Sequence, residues 1–151
     1  MTTPPPTAAD PSASVVAAQA ALAGEHACVY GYGIVGAHLP GDAAAAHEAL
    51  DEHRVRRDAL TRLIRAAGAE PVAALSTYVP PSPVTDQTTA TALAVTMEQR
   101  LGDLYADLVA AADSPELCGL AARGLVAVSR RQVQWGAAVD AFPGLEGRVA
   151  G

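Results

Sequence analysis

Glu25 and His53 are the residues of this chain best placed to do chemistry. Each interrupts a helical row otherwise built for burial. Glu25 stands in the row Leu22, Glu25, Val29, Tyr32, Gly36, and His53 in the row Ala46, Leu50, His53, Arg57, Leu60, Ile64. Two more rows carry an inward polar residue: Ala94, Glu98, Leu101, Tyr105, Leu108, and Leu117, Gly124, Val128, Arg131, Trp135, Ala138. Side chains three and four residues apart share one helix face. A carboxylate or imidazole on a face turned to the core is either a metal ligand or a member of a buried polar network, because leaving it unpaired costs several kcal/mol.

A carboxylate-bridged dimetal site in a helix bundle needs a Glu from each of two helices and a Glu-x-x-His from each of the other two. This chain has Leu50-x-x-His53 on its second helical segment and Val128-x-x-Arg131 on its fourth, so one Glu and a whole ligand pair are missing. Glu25, His53 and Glu98 remain as a reduced set for one iron, manganese or zinc ion. Arg131 would set a fixed positive charge beside that ion, and a guanidinium matches carboxylates bidentately. The preferred expectation is a network without metal or cofactor, in which Arg131, with Arg57, pairs with Glu25 and Glu98. Tyr30, Tyr32 and Tyr105 are candidate hydroxyl donors to the carboxylates.

Four helices must position these groups. The first starts at a cap on Ser12 or Ser14 and runs to about Leu39, before Pro40-Gly41; the second runs from Asp42 to about Ala67 and stops at Gly68. The third starts at Thr85 or Asp86 and runs to about Ala112. Ser114-Pro115-Glu116 opens the fourth, which is expected to reach about Asp140. Helices of about 25 residues are roughly 38 Å long. Short links make the first and second, and the third and fourth, antiparallel hairpins. Between the hairpins lies Gly68 to Val84, with Pro71, Pro80, Pro81 and Pro83. Its seventeen residues reach about 50 Å when extended, enough to run the length of the bundle and make the second and third helices parallel. The expected fold is therefore all-α, a ferritin-like four-helix bundle with a long proline-rich crossover. Residues 1–11 are expected as a flexible tail, 12–145 as the bundle and 146–151 as a C-terminal tail.

Composition excludes several roles. The 151 residues are 50% hydrophobic but only 4% aromatic, which fits closely packed, alanine-rich helices rather than a sheet. The net charge is -6 and every basic residue is an arginine, without a basic stripe, so nucleic-acid binding is not expected. No signal peptide and no long apolar run is evident, and Cys28 and Cys118 do not make a disulfide framework; a cytoplasmic protein away from the membrane is expected. Gly31 to Gly36 reads G-x-G-x-x-G, but it lies inside a helix with no strand before it, so it is not a dinucleotide loop.

Several short motifs occur together: Glu25-His26-Ala27 followed by Val29-Tyr30-Gly31-Tyr32-Gly33, His53-Arg54-Val55-Arg56-Arg57-Asp58, Tyr78-Val79-Pro80, Pro83-Val84-Thr85-Asp86, and Phe142-Pro143-Gly144-Leu145. In this combination the chain resembles a ferritin-like family of unknown function found mainly in actinobacteria, over roughly residues 14 to 145. The resemblance implies the ferritin-like four-helix fold and supplies no reaction. No complete catalytic constellation is present, so enzyme activity is not expected. The expected role is a structural, oligomerising or partner-binding module, with a homodimer or a protein as partner. A metal-dependent oxidoreductase using the reduced ligand set is the alternative, and a small-molecule binder with a cavity open beside Arg131 and Tyr30 is a third reading.

Overall fold

Local side-chain chemistry sets most of the helix ends. The computed structural model describes residues 10–138, and their regular structure is entirely α-helical. The helices are α1 (Ala13–Ala37), α2 (Ala43–Ala66), α3 (Gln87–Ala111) and α4 (Pro115–Gln134). Ser12 caps α1 by accepting from the Val15 N–H at 3.3 Å. Asp86 caps α3 with a reciprocal box, since its carboxylate accepts from Thr89 N and its own N–H donates to the Thr89 hydroxyl. Ser114 caps α4, with Pro115 in the first turn where no N–H is needed. Asp42 stands at the start of α2 but makes no side-chain cap bond; its carbonyl accepts the first N–H groups instead.

α4 ends earlier than its pattern suggests. Gly136 adopts φ +88° and lets the Ala137 N–H reach back to the Gln132 carbonyl, while its own N–H bonds Val133. That Schellman closure ends the helix at Gln134, not near Asp140, and leaves Trp135 as the capping residue. Gly68, at φ +80°, ends α2 in the same way. The tails expected at 1–11 and 146–151, and the stretch of bundle expected over 139–145, lie outside the described residues except for Asp10 and Pro11.

α1 packs against both α2 and α3, and α3 packs against α4, whereas α2 and α4 meet only sparingly. Cross-helix hydrogen bonds give the directions. Ser14 bonds Asp113, Glu25 bonds Tyr105 and Tyr32 bonds Glu98, so α1 and α3 run antiparallel. α2 is also antiparallel to α1 across a short link, and therefore parallel to α3. Residues 67–86 join these two parallel helices. Part of that segment lies along α1: Gln19 bonds the backbone of Glu70 and Val72, His26 meets the Val72 carbonyl, and Tyr30 meets Thr77.

The core is built of Ala, Leu and Val with Tyr32, Tyr105 and Trp135 as its bulk. Close packing is paid for in glycines: at Gly31 a Cβ would overlap the Met97 sulfur, so α3 leans on α1 there. Among the described residues no helix is long and apolar enough to cross a membrane.

Candidate functional site

Three titratable residues from three helices converge at mid-height of the bundle. Glu25 (α1), His53 (α2) and Glu98 (α3) are each 0% exposed. The imidazole lies between the carboxylates, with Nδ1 2.6 Å from Glu25 Oε2 and Nε2 3.1 Å from Glu98 Oε1. Each carboxylate also accepts from a buried tyrosine: Tyr105 donates to Glu25 Oε1 and Tyr32 to Glu98 Oε1, both at 2.5 Å. Tyr32 stacks on the His53 ring at 5.0 Å between centroids, and its hydroxyl accepts from Trp135 Nε1 at 2.9 Å. The early end of α4 is what turns Trp135 into this position.

The fourth charge comes from Arg56. Its Nε donates to Glu25 Oε1 at 2.9 Å. Its Nη2 lies 2.9 Å from His53 Nδ1, but that nitrogen's proton is taken by the 2.6 Å bond to Glu25. It therefore has no lone pair to offer, and the bond to Glu25 is the one that counts. Two carboxylates, an imidazolium and a guanidinium make the cluster neutral. Neutrality and mutual hydrogen bonding are what allow three of these charges inside an apolar core, with the partly buried Arg56 at its edge.

Electrostatics supports an ionised Glu25 and a protonated His53. Burial alone would lift the Glu25 carboxyl, but the hydrogen bond and charge of His53, then Arg56 and the Tyr105 hydroxyl, bring it below the usual carboxylate range. Burial alone would lower His53, yet the hydrogen bonds and charges of Glu25 and Glu98 raise it above its ordinary 6.5. Burial and the adjacent carboxylates push the Tyr32 and Tyr105 hydroxyls up, so both stay protonated donors. They do the same to the Cys28 thiol, which is thus no thiolate nucleophile.

Three residues expected in this network stand elsewhere. Arg57 pairs with Asp58 at the surface side of α2, and Arg56 takes the place expected for it. Arg131 is 7% exposed, but its partners are Glu52 at 2.8 Å and Gln134 at 2.7 Å, rather than Glu25 and Glu98. Tyr30 is 39% exposed and meets Thr77 and the ring of Tyr78. His38 and His47 each bond a carbonyl of their own helix, Ile34 and Ala43. Cys28 and Cys118 are free thiols, one buried and one exposed.

Two contributors carried a sequence signal that pattern alone does not decode. Arg56 is three residues beyond His53 and Arg57 four, so both share its face; only the position of α1 decides which one meets Glu25. Gly124 lies on the inward row of α4, and a Cβ there would run into the Tyr105 ring. It is the space that lets Tyr105 reach Glu25.

As arranged, these residues do not fit a metal ion. Among the described residues no group of three His, Cys, Asp or Glu side chains is set to hold one. Both His53 nitrogens face carboxylates, and an imidazolium has no lone pair for a cation. Glu98 Oε2 is buried without a hydrogen-bond partner among the described residues, which leaves a single donor atom where a metal needs several. What the arrangement does is clamp: it joins α1, α2, α3 and the end of α4 through directed, charge-assisted bonds.

No curated protein matches the chain. Among solved structures it resembles a conserved hypothetical protein from Mycobacterium tuberculosis, with a TM-score of 0.79 and 33% sequence identity over 82% of this chain and 87% of that one. A family model described as "Domain of unknown function (DUF4439)" matches residues 17–147, and the chain belongs to that family.

Proposed function

We propose that this protein is a ferritin-like bundle in which a histidine–carboxylate–arginine clamp occupies the position of a dimetal centre, and that it works as a structural or partner-binding module, not as a metal-dependent oxidoreductase. The observation that carries the reading is His53 held between Glu25 and Glu98, with Arg56 balancing the charge. The two parallel helices joined by the Pro-containing segment along α1 support the ferritin-like topology and its crossover. Leu75 and Val79 on that segment are 66% and 88% exposed, beside Tyr30 and Tyr78, which supports self-association through this face. Free Cys28 and Cys118 fit a reducing, cytoplasmic setting, and the mycobacterial relative fits an actinobacterial source.

Elemental analysis of chelator-washed protein tests the central point, together with melting curves in EDTA and in added iron, manganese or zinc. The expected result is no stoichiometric metal and an unchanged melting temperature in every arm. One tightly held ion per chain, or a metal-dependent rise in melting temperature lost in Glu98→Gln, would overturn the reading. Light scattering reads the mass in solution, and a monomer at all concentrations would remove the self-association part.

A further inference from the structure

Of the helix pairs in contact, α2 and α4 pack least, and they leave a cavity of about 650 Å³ between them. That size lies in the range of small-molecule sites, whose volumes run from about 300 to 1,000 Å³. Its walls, however, are charged where such sites are usually apolar. Glu48, Glu52 and Arg56 line it from α2, and Arg130, Arg131 and Gln134 from α4. Three guanidinium groups face two carboxylates in a protein whose overall charge is -6. The groove is therefore a cationic spot on an anionic molecule.

The pairing within it is uneven. Glu52 Oε2 is shared by Arg131 at 2.8 Å and Arg56 at 3.7 Å. Arg56 is further held by Glu25. Glu48 approaches Arg131 only to 3.9 Å and is 66% exposed, so it can swing into water at little cost. Arg130 has no hydrogen-bond or ion-pair partner among the described residues. A buried guanidinium held rigid by Glu52 and Gln134, next to an unpaired one, is a fork for an oxyanion.

We infer that the α2–α4 groove binds a small, soluble oxyanion-bearing metabolite, carboxylate or phosphate, between Arg130 and Arg131. The closed cluster at Glu25 and His53 takes no part in the contact, so this site stands or falls apart from the metal-independent reading. It is nonetheless connected to that cluster. Acid and base alternate from Glu98 through His53, Glu25, Arg56 and Glu52 to Arg131. An anion that draws on Arg131 loosens its hold on Glu52, and Glu52 then leans more on Arg56.

Isothermal titration of the full chain with inorganic phosphate and, separately, with citrate tests the site, using sodium chloride at matched ionic strength as the reference. Saturable binding of either anion, with one site per chain, is the expected result. Arg130→Gln should weaken it by about 10- to 100-fold, the loss of one charge-assisted contact. Arg123→Gln, an exposed arginine elsewhere on α4, should leave it unchanged. Phosphate alone binding assigns a phosphoryl ligand, and citrate alone a polycarboxylate. The inference is overturned if neither anion saturates below about 10 mM, if chloride competes equally, or if Arg130→Gln binds as the parent protein does.

Discussion

Glu25→Ala is the perturbation that most directly measures the clamp. The carboxylate accepts from His53 at 2.6 Å, Arg56 at 2.9 Å and Tyr105 at 2.5 Å, and it is fully buried. Removing it leaves an imidazolium and a guanidinium 2.9 Å apart without their common anion. Breaking a buried pair by deleting one partner costs about 3–5 kcal/mol. The three bonds, all charge-assisted by the carboxylate, sum to a similar or larger figure, but they act as a unit and do not add. His53 limits the loss by giving up its proton. We expect about 4 kcal/mol, or a fall in melting temperature of roughly 12 °C at about 3 °C per kcal/mol for a domain of this size. Urea unfolding followed by the fluorescence of Trp135, the only tryptophan, reads the change, and far-UV circular dichroism checks that both probes report one transition. Asp51→Ala is the reference. Its bond to Arg54 joins side chains 51% and 72% exposed, and its removal should cost under about 0.5 kcal/mol. Glu25→Gln keeps a carbonyl oxygen for Tyr105 and Arg56 without the charge, and should recover less than half of the loss. The clamp is refuted if Glu25→Ala stays within about 1 kcal/mol of the parent, or is more stable. That outcome would mark Glu25 as a strained functional group retained at the expense of stability.

Stability should also depend on pH in a defined way. Glu25 titrates below its ordinary 4.5 in the folded state, so its contribution is present above that pH and is lost as pH falls through the depressed value. His53 titrates above its ordinary 6.5, so its contribution is full below that pH and is lost as pH rises through the raised value. Urea midpoints measured from acid to alkaline pH should therefore peak between about 4.5 and 6.5, and a flat profile above 6.5 would contradict an imidazolium at His53. Gly124→Ala should cost about 1–3 kcal/mol by overpacking against the Tyr105 ring. Combined with Tyr105→Leu the penalty should shrink, and a fully additive double variant would show that the two do not touch.

The helices were legible because their signals are local. Ser12, Asp86 with Thr89, and Ser114-Pro115 act on N–H groups within one turn, so sequence neighbours suffice to place them. The end of α4 at Gln134 also has a local signal, Gly136. The apolar pattern, which continues through Trp135 and Ala138, masks that signal in the sequence. The turn matters for the site, because Trp135 at its start donates its indole N–H to the Tyr32 hydroxyl.

By itself the sequence determined which residues had to be buried and polar. Glu25, His53 and Glu98 stand in apolar rows, and a row's face follows from helical periodicity alone. It also showed that the ligand set of a dimetal site is incomplete. Only the tertiary structure decided the partners. Arg56 and Arg57 share the face of His53, and which of them meets a carboxylate depends on where the neighbouring helix lies and how it is rotated. Tyr32 lies on the Glu25 row, but that its hydroxyl meets Glu98 on α3 rather than Glu25 is likewise set by the packing. Arg131 is inward and buried as its row requires, yet it answers to Glu52 across the α2–α4 groove. A periodic pattern specifies a direction from the helix axis, and a hydrogen bond is specified to a few tenths of an ångström between atoms on different helices. The second is a property of the packed bundle, which no single helix contains.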